Sequence, residues 1–224
     1  MRTKILGVIS SLCLVVTALW LVLLIWSMAS VGPVETFEQA LAYVAEPDAL
    51  FTLTYVNATL VTLSATMLFA ALYVYFKPTA PGWSAMGVVF VPVYSVLNLF
   101  VYLSQITIVP RLLAFTGMAE YQATSGLLLG QMVQQWPDSA VAALNTLAYA
   151  ILGIPSIAFG VALLKLGTLR RLAGALIALN GVACIVGMVG LVVGNGLLEW
   201  GTAIGGVLFL LALMPLSLAF LREE

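Results

Sequence analysis

Histidine is missing from all 224 residues, and only 8% of them carry a charge. The first absence removes the usual ligand of haem and zinc, and the base of Ser-His and Cys-His catalysis. The second removes the means of keeping an ordinary domain in water, since soluble domains carry about 25% charged residues. Eight basic against nine acidic residues leave a net charge of −1, so no basic footprint exists for nucleic acid. Cysteine is nearly absent too. Cys13 and Cys184 both fall within apolar runs and read as small buried hydrophobes, not as a disulfide or metal pair. No cofactor, no metal and no enzymatic activity is expected. Acid–base chemistry would have to use tyrosines or the peripheral Glu120, Asp138 and Glu199.

What the chain has instead is apolar length: 63% of it is hydrophobic. A helix needs about 20 apolar residues to cross a hydrocarbon core of roughly 30 Å. Six stretches qualify: 5–28, 50–76, 83–106, 140–164, 172–193 and 200–221. None contains Asp, Glu, Lys or Arg, and their length without strict alternation favours helices over barrel strands. The fold class expected is therefore all-α, a polytopic membrane protein of six transmembrane helices. The first stretch follows Arg2 and Lys4 as a signal peptide would, but its apolar core is far longer than the 7–15 residues typical of a cleaved signal. It reads as a retained helix, with removal after Met28-Ala29-Ser30 as the alternative.

The few charges sort by side. Arg2, Lys4, Lys77, Lys165, Arg170, Arg171 and Arg222 fall together on one side of six alternating spans, with the terminal Glu223 and Glu224. The other side holds Arg111 with Glu35, Glu38, Glu46, Asp48, Glu120, Asp138 and Glu199. The positive-inside rule then makes Lys77–Gly82 a cytoplasmic turn and puts both termini in the cytoplasm of a cell-membrane protein. Pro78, Pro81 and Gly82 stop the flanking helices, and Tyr73, Tyr75 and Trp83 belong to an aromatic belt.

Two outer loops exceed what a turn needs. In the first, Phe37, Leu41 and Val44 have helical spacing, Glu35, Gln39 and Glu46 form the polar side, Pro47 stops the helix, and Asp48 caps the next one. In the second, 107–139, Leu127, Leu128, Val133 and Trp136 predict another short amphipathic helix lying on the interface. Such loops either shield the outer ends of the helices or close over a ligand site.

With no charge in the spans, uncharged polar residues carry the remaining information. Asn57, Asn98 and Asn145 lie on three consecutive spans, each roughly 9–12 Å below the outer surface at 1.5 Å per residue. Asn145, Tyr149, Gly153, Ser156 and Gly160 form one helical stripe, and Tyr94, Asn98 and Gln105 another, both expected to face inward. These amides either hydrogen-bond between helices or line a pocket for a small ligand. The pocket would use Asn57, Asn98, Gln105, Asn145 and Tyr149. Asn57-Ala58-Thr59 matches a glycosylation sequon, but at that depth modification is not expected. Gly187, Gly190, Gly201 and Gly205 predict close packing of the last two spans, with Gly190 and Gly194 at GxxxG spacing.

The stretches Ser104-Gln105-Ile106-Thr107-Ile108-Val109-Pro110-Arg111 and Pro137–Leu164, centred on Ala143-Leu144-Asn145-Thr146-Leu147-Ala148-Tyr149, resemble a broad group of small bacterial six-span membrane proteins of unknown function. The resemblance covers about a quarter of the chain. It implies a membrane-embedded helical bundle without an established activity, and a neutral Asn145 where relatives often carry an acid. The expectation is a non-enzymatic integral membrane protein that meets the lipid bilayer and binds a small apolar or amphiphilic ligand or a partner helix. The rivals are a small transporter or permease subunit and a structural subunit of a larger membrane complex.

Overall fold

The computed structural model describes residues 2–32 and 34–222. Glu223 and Glu224, assigned above to the basic side, lie outside the described residues. Among the described residues the chain forms eight helices and no strand: α1 (Arg2–Val31), α2 (Phe37–Ala45), α3 (Ala49–Phe76), α4 (Pro81–Thr116), α5 (Gln122–Met132), α6 (Ala140–Leu164), α7 (Thr168–Val193) and α8 (Gly196–Leu221). All but α2 and α5 are long and apolar enough to cross a membrane. Their outward residues are large and apolar, with Val15 64%, Val96 68% and Val192 72% exposed. Water would penalise such a surface, whereas acyl chains solvate it. The protein is an all-α, six-span integral membrane protein.

Local sequence explains most boundaries. Thr36 and Gln39 form a capping box at the start of α2. Asp48 caps α3 by accepting from the Phe51 N–H at 2.6 Å, as its place after Pro47 predicts. Ser139 accepts from the Ala142 N–H at 3.0 Å and opens α6. Asn195 caps α8, whose first turn carries Glu199 at the favourable end of the helix dipole.

Three boundaries or faces differ from the sequence reading. First, α4 does not stop at Ile106 but runs ten residues further, to about 54 Å in length. An inward face continues at helical spacing through Val101, Gln105, Val109 and Leu113, and packing along it outweighs the single donor that Pro110 removes. Second, α7 and α8 start earlier than expected, so Arg170, Arg171 and Glu199 lie within the helices, as Arg111 does in α4. Third, α5 exists, but Leu127 and Leu128 are exposed at 71% and 44%, and the buried residues are Ser125 and Leu129. Ser125 can face inward because its hydroxyl donates back to the Tyr121 carbonyl, 2.8 Å away. Val133, the C-cap of α5, is buried, and Trp136 lies beyond the helix with its ring edge-on to Phe37 at 5.8 Å.

The chain divides into two compact units. The first comprises residues 1–18, 61–96 and 146–224. Its α6, α7 and α8 are held at glycine seams. A Cβ on Gly181 would stand 2.4 Å from the Gly153 carbonyl oxygen, and one on Gly174 would stand 2.7 Å from that of Gly160. Gly187 and Gly201 admit the facing backbone between α7 and α8 in the same way, and the Asn180 amide donates across to the Gly205 carbonyl at 2.9 Å. Gly190 belongs to that seam, but Gly194 is a helix cap with φ +66°. Phe69 packs near Phe159 (5.8 Å) and Phe209 (6.3 Å). The Thr66 and Ser95 hydroxyls meet at 2.6 Å. Tyr94 of α4 and Tyr149 of α6 pair at 6.3 Å, and Gly87 lies against the ring of Phe159. Seven steps along α4 thus match ten backward steps along α6, so the two helices are antiparallel.

The second unit comprises residues 19–60 and 97–145. Its core joins Ala40 and Val44 of α2, Phe51, Tyr55 and Ala58 of α3, Val101, Tyr102 and Val109 of α4, Leu129 of α5, Val133 and Val141.

Candidate functional site

The second unit combines an aromatic ladder with a set of uncharged amides. Tyr43, Phe51, Tyr55 and Tyr102 follow one another at centroid separations of 5.3, 4.8 and 6.4 Å. Such tilted and edge-on contacts are the preferred geometry of aromatic pairs. The Tyr43 hydroxyl also meets the Ser27 hydroxyl at 2.8 Å, which ties α2 to α1. Burial pushes the Tyr43 hydroxyl above its ordinary pKa; the Ser27 hydrogen bond opposes that shift, and the Asp48 carboxylate adds to it. Tyr43 therefore stays neutral at physiological pH.

The connection between α5 and α6 is fastened onto this core by side chains. Gln105 is fully buried, and its amide donates to the Met132 carbonyl at 2.8 Å while its carbonyl oxygen accepts from the Gln134 N–H at 3.0 Å. Gln135 donates to the Tyr55 hydroxyl. One glutamine on α4 thus satisfies the last carbonyl of α5 and a backbone N–H of the irregular segment that follows it. Gln105→Leu leaves both groups unpaired, each at a cost of about 1–3 kcal/mol. Hydrogen exchange across 133–139 is expected to accelerate at least tenfold in that variant. Unchanged exchange would mean that apolar packing alone holds the segment.

Two further side-chain amides of this unit, Asn98 and Asn145, are not so engaged. Asn98 is 0% exposed, and neither its nitrogen nor its oxygen has a partner, so the observation does not depend on which way the amide is turned. Asn145 is half-buried and its carbonyl oxygen is likewise unpartnered, as are those of Gln134 and Gln135. Asn98 stands one helical turn beyond Tyr94 on α4, and Asn145 one turn before Tyr149 on α6.

Of the five residues singled out in the sequence, four fall in this unit: Asn57, Asn98, Gln105 and Asn145. Asn57 is buried on α3, Gln105 is committed to the α5–α6 connection, and Tyr149 belongs to the other unit, against Tyr94. Sequence reasoning passed over Gln134, Gln135, Tyr55 and Tyr102. Two adjacent uncharged amides just before Trp136-Pro137 were the available signal.

Charge is unevenly divided. The second unit holds Glu35, Glu38, Glu46, Asp48, Glu120 and Asp138 against Arg111 alone, six negative charges and one positive, a net −5. These seven residues are all exposed. Among the described residues, Lys4, Lys77, Lys165, Arg170, Arg171 and Arg222 all belong to the first unit, where Lys77 lies over the Tyr73 ring at 5.6 Å and Arg170 over Phe220 at 5.1 Å.

Compared with protein-family models, curated proteins and solved structures, the chain matches none.

Proposed function

We propose that this is a non-enzymatic protein of the cell membrane, with both termini cytoplasmic, that binds a small amphiphilic molecule through the outer parts of α3, α4 and α6. The observation that carries this reading is the Asn98 amide, fully buried with both polar atoms unpartnered. An unpaired buried polar group costs about 1–3 kcal/mol, and a leucine at the same point of an apolar helix would avoid that cost. A ligand that supplies the missing partners gives the amide a use. In this reading Asn98 and Asn145 contact the ligand, Asn57 borders the same region, and Gln105 holds the 133–139 segment over it.

Native mass spectrometry of the purified protein tests the reading. The wild type is expected to carry a stoichiometric small molecule. Asn98→Leu is expected to lose it while keeping, or slightly raising, its melting temperature in detergent. A wild type without bound mass, or a variant that melts far lower with its bound mass unchanged, would refute the proposal and leave Asn98 a packing residue. A co-purifying polypeptide in place of the small molecule would identify the occupant as a partner helix.

A further inference from the structure

Positive charge in the first unit is gathered at one end of its helices. The unit holds seven basic residues and three acidic ones, a net +4. Of the acidic three, Glu199 is in the first turn of α8, about 32 Å along that helix from Phe220, and Glu223 and Glu224 lie outside the described residues. Contacts show which helix ends meet at Phe220. This buried ring has the Tyr75 ring of α3 edge-on at 5.1 Å and the Arg170 guanidinium of α7 over its face, also at 5.1 Å. A Cβ on Gly7 of α1 would stand 2.9 Å from the Leu221 backbone nitrogen. The starts of α1 and α7 and the ends of α3 and α8 therefore converge on one spot. Lys4 lies one turn before Gly7, Lys77 two residues after Tyr75, Arg171 beside Arg170, and Arg222 directly after Leu221. Those four side chains are exposed, and Arg170 is half-buried.

The same helix ends also present an apolar surface. Ile5 and Val8 of α1, Leu172 of α7, and Leu218 and Leu221 of α8 are from 41% to 61% exposed in the adjoining turns. They continue the outward surface that acyl chains cover. What fits beside them carries acyl chains and negative charge in one molecule. Basic residues next to a span attract anionic headgroups, and Lys and Arg donate to phosphate oxygens. A choline or ethanolamine head answers its own phosphate with an ammonium, whereas a glycerol head leaves the phosphate charge to the protein.

We infer that this end of the first unit is a binding surface for an anionic phospholipid, with the phosphate among Lys4, Lys77, Arg170, Arg171 and Arg222 and the acyl chains along the exposed aliphatic side chains beside them. The surface belongs to the first unit and does not depend on what the amides of the second unit bind. On the orientation proposed above, its lipid comes from the cytoplasmic leaflet.

Native mass spectrometry of the full chain with equimolar dioleoyl phosphatidylglycerol and dioleoyl phosphatidylcholine tests the inference, since the two lipids share their chains and differ in the head. The wild type is expected to retain phosphatidylglycerol at least tenfold over phosphatidylcholine. The double variants Lys4→Gln/Arg222→Gln and Lys77→Gln/Arg171→Gln are each expected to reduce that preference at least fivefold. They alter different helix ends, so a folding failure in one does not spoil the test. Arg111→Gln removes the cation of the second unit and is expected to leave the preference unchanged, as is Asn98→Leu. Equal retention of the two lipids by the wild type overturns the inference. An equal loss in Arg111→Gln also overturns it, because the preference would then follow overall charge and not this surface. Displacement of bound lipid by millimolar glycerol 3-phosphate would mean that a free phosphate ester is recognised, and the lipid assignment would fall. Bound phosphatidylglycerol is told from any molecule at the amides by its mass and by which variant removes it, so either reading can fail while the other stands.

Discussion

Gly181→Val is expected to destabilise the protein by about 3 kcal/mol or more, whereas Gly206→Val changes stability little. Both are helix glycines of the first unit, on α7 and α8. Around a Cβ built on Gly206 there is nothing within 4 Å. A Cβ on Gly181 would meet the Gly153 carbonyl oxygen at 2.4 Å and the Ile157 backbone nitrogen at 3.1 Å. Those atoms belong to backbone and cannot rotate away, so α6 and α7 must separate. Separation removes contacts along the whole seam, since Gly160 and Gly174 repeat the same close approach. In a bilayer this matters more than in water, because lipid tails are as apolar as side chains and helix association depends on close packing. Overpacking usually costs about 1–3 kcal/mol, and a backbone clash lies at or above the top of that range. Thermal melts in detergent should show a fall of roughly 6–12 °C for Gly181→Val, at about 2–4 °C per kcal/mol for a chain of this size. Gly153→Val should do the same, and the double variant should cost much less than the two together, because both open one seam. A melting temperature within 2 °C of wild type for Gly181→Val would mean that the α6–α7 seam is not a determinant of stability.

The same seams show where the sequence was readable. Six spans were legible because an uninterrupted apolar run of 20 residues has no other stable use. The close packing of α7 and α8 was legible from the density of small residues. The α6–α7 contact through Gly153 and Gly181 was not, because nothing in spacing says which glycine meets which. Gly190 and Gly194 illustrate the point: the pair has the GxxxG spacing, yet one lies in a helix seam and the other is a left-handed cap. The continuation of α4 was hidden by Pro110-Arg111, which reads as a stop although the inward face carries on through Val109 and Leu113. In α5 the two leucines drew attention from Ser125, whose hydroxyl satisfies itself within the helix. At the candidate site, the burial of Asn57 and Asn98 could be read from depth in the chain. The commitment of Gln105 could not, because its partners come from backbone 27 and 29 residues away.

Gln122→Cys should react with a membrane-impermeant maleimide on intact cells, and Thr79→Cys only after the cells are opened, with at least a tenfold difference in labelling between them. Thr79 lies in the exposed turn between α3 and α4, and Gln122 is exposed at the start of α5. The native cysteines give no background, since Cys13 and Cys184 are 0% and 1% exposed. The expected direction follows from where cations stand. Lys77 occupies the α3–α4 turn, and Lys165, Arg170 and Arg171 cluster about the α6–α7 turn. Holding a Lys or Arg at the centre of a membrane costs about 2.5–3.5 kcal/mol on insertion scales, and basic residues near span ends set orientation where acidic ones contribute little. Three cations around one short turn make that turn the hardest part of the chain to translocate. The carboxylates from Glu35 to Asp138 then fall outside by consequence, not by their own preference. Reversed labelling would place the exposed carboxylates of the second unit on the cytoplasmic side, where the proposed ligand would have to reach the site from the inner leaflet. The orientation experiment therefore decides from which leaflet the proposed ligand enters. The binding experiments above decide separately whether it enters at all.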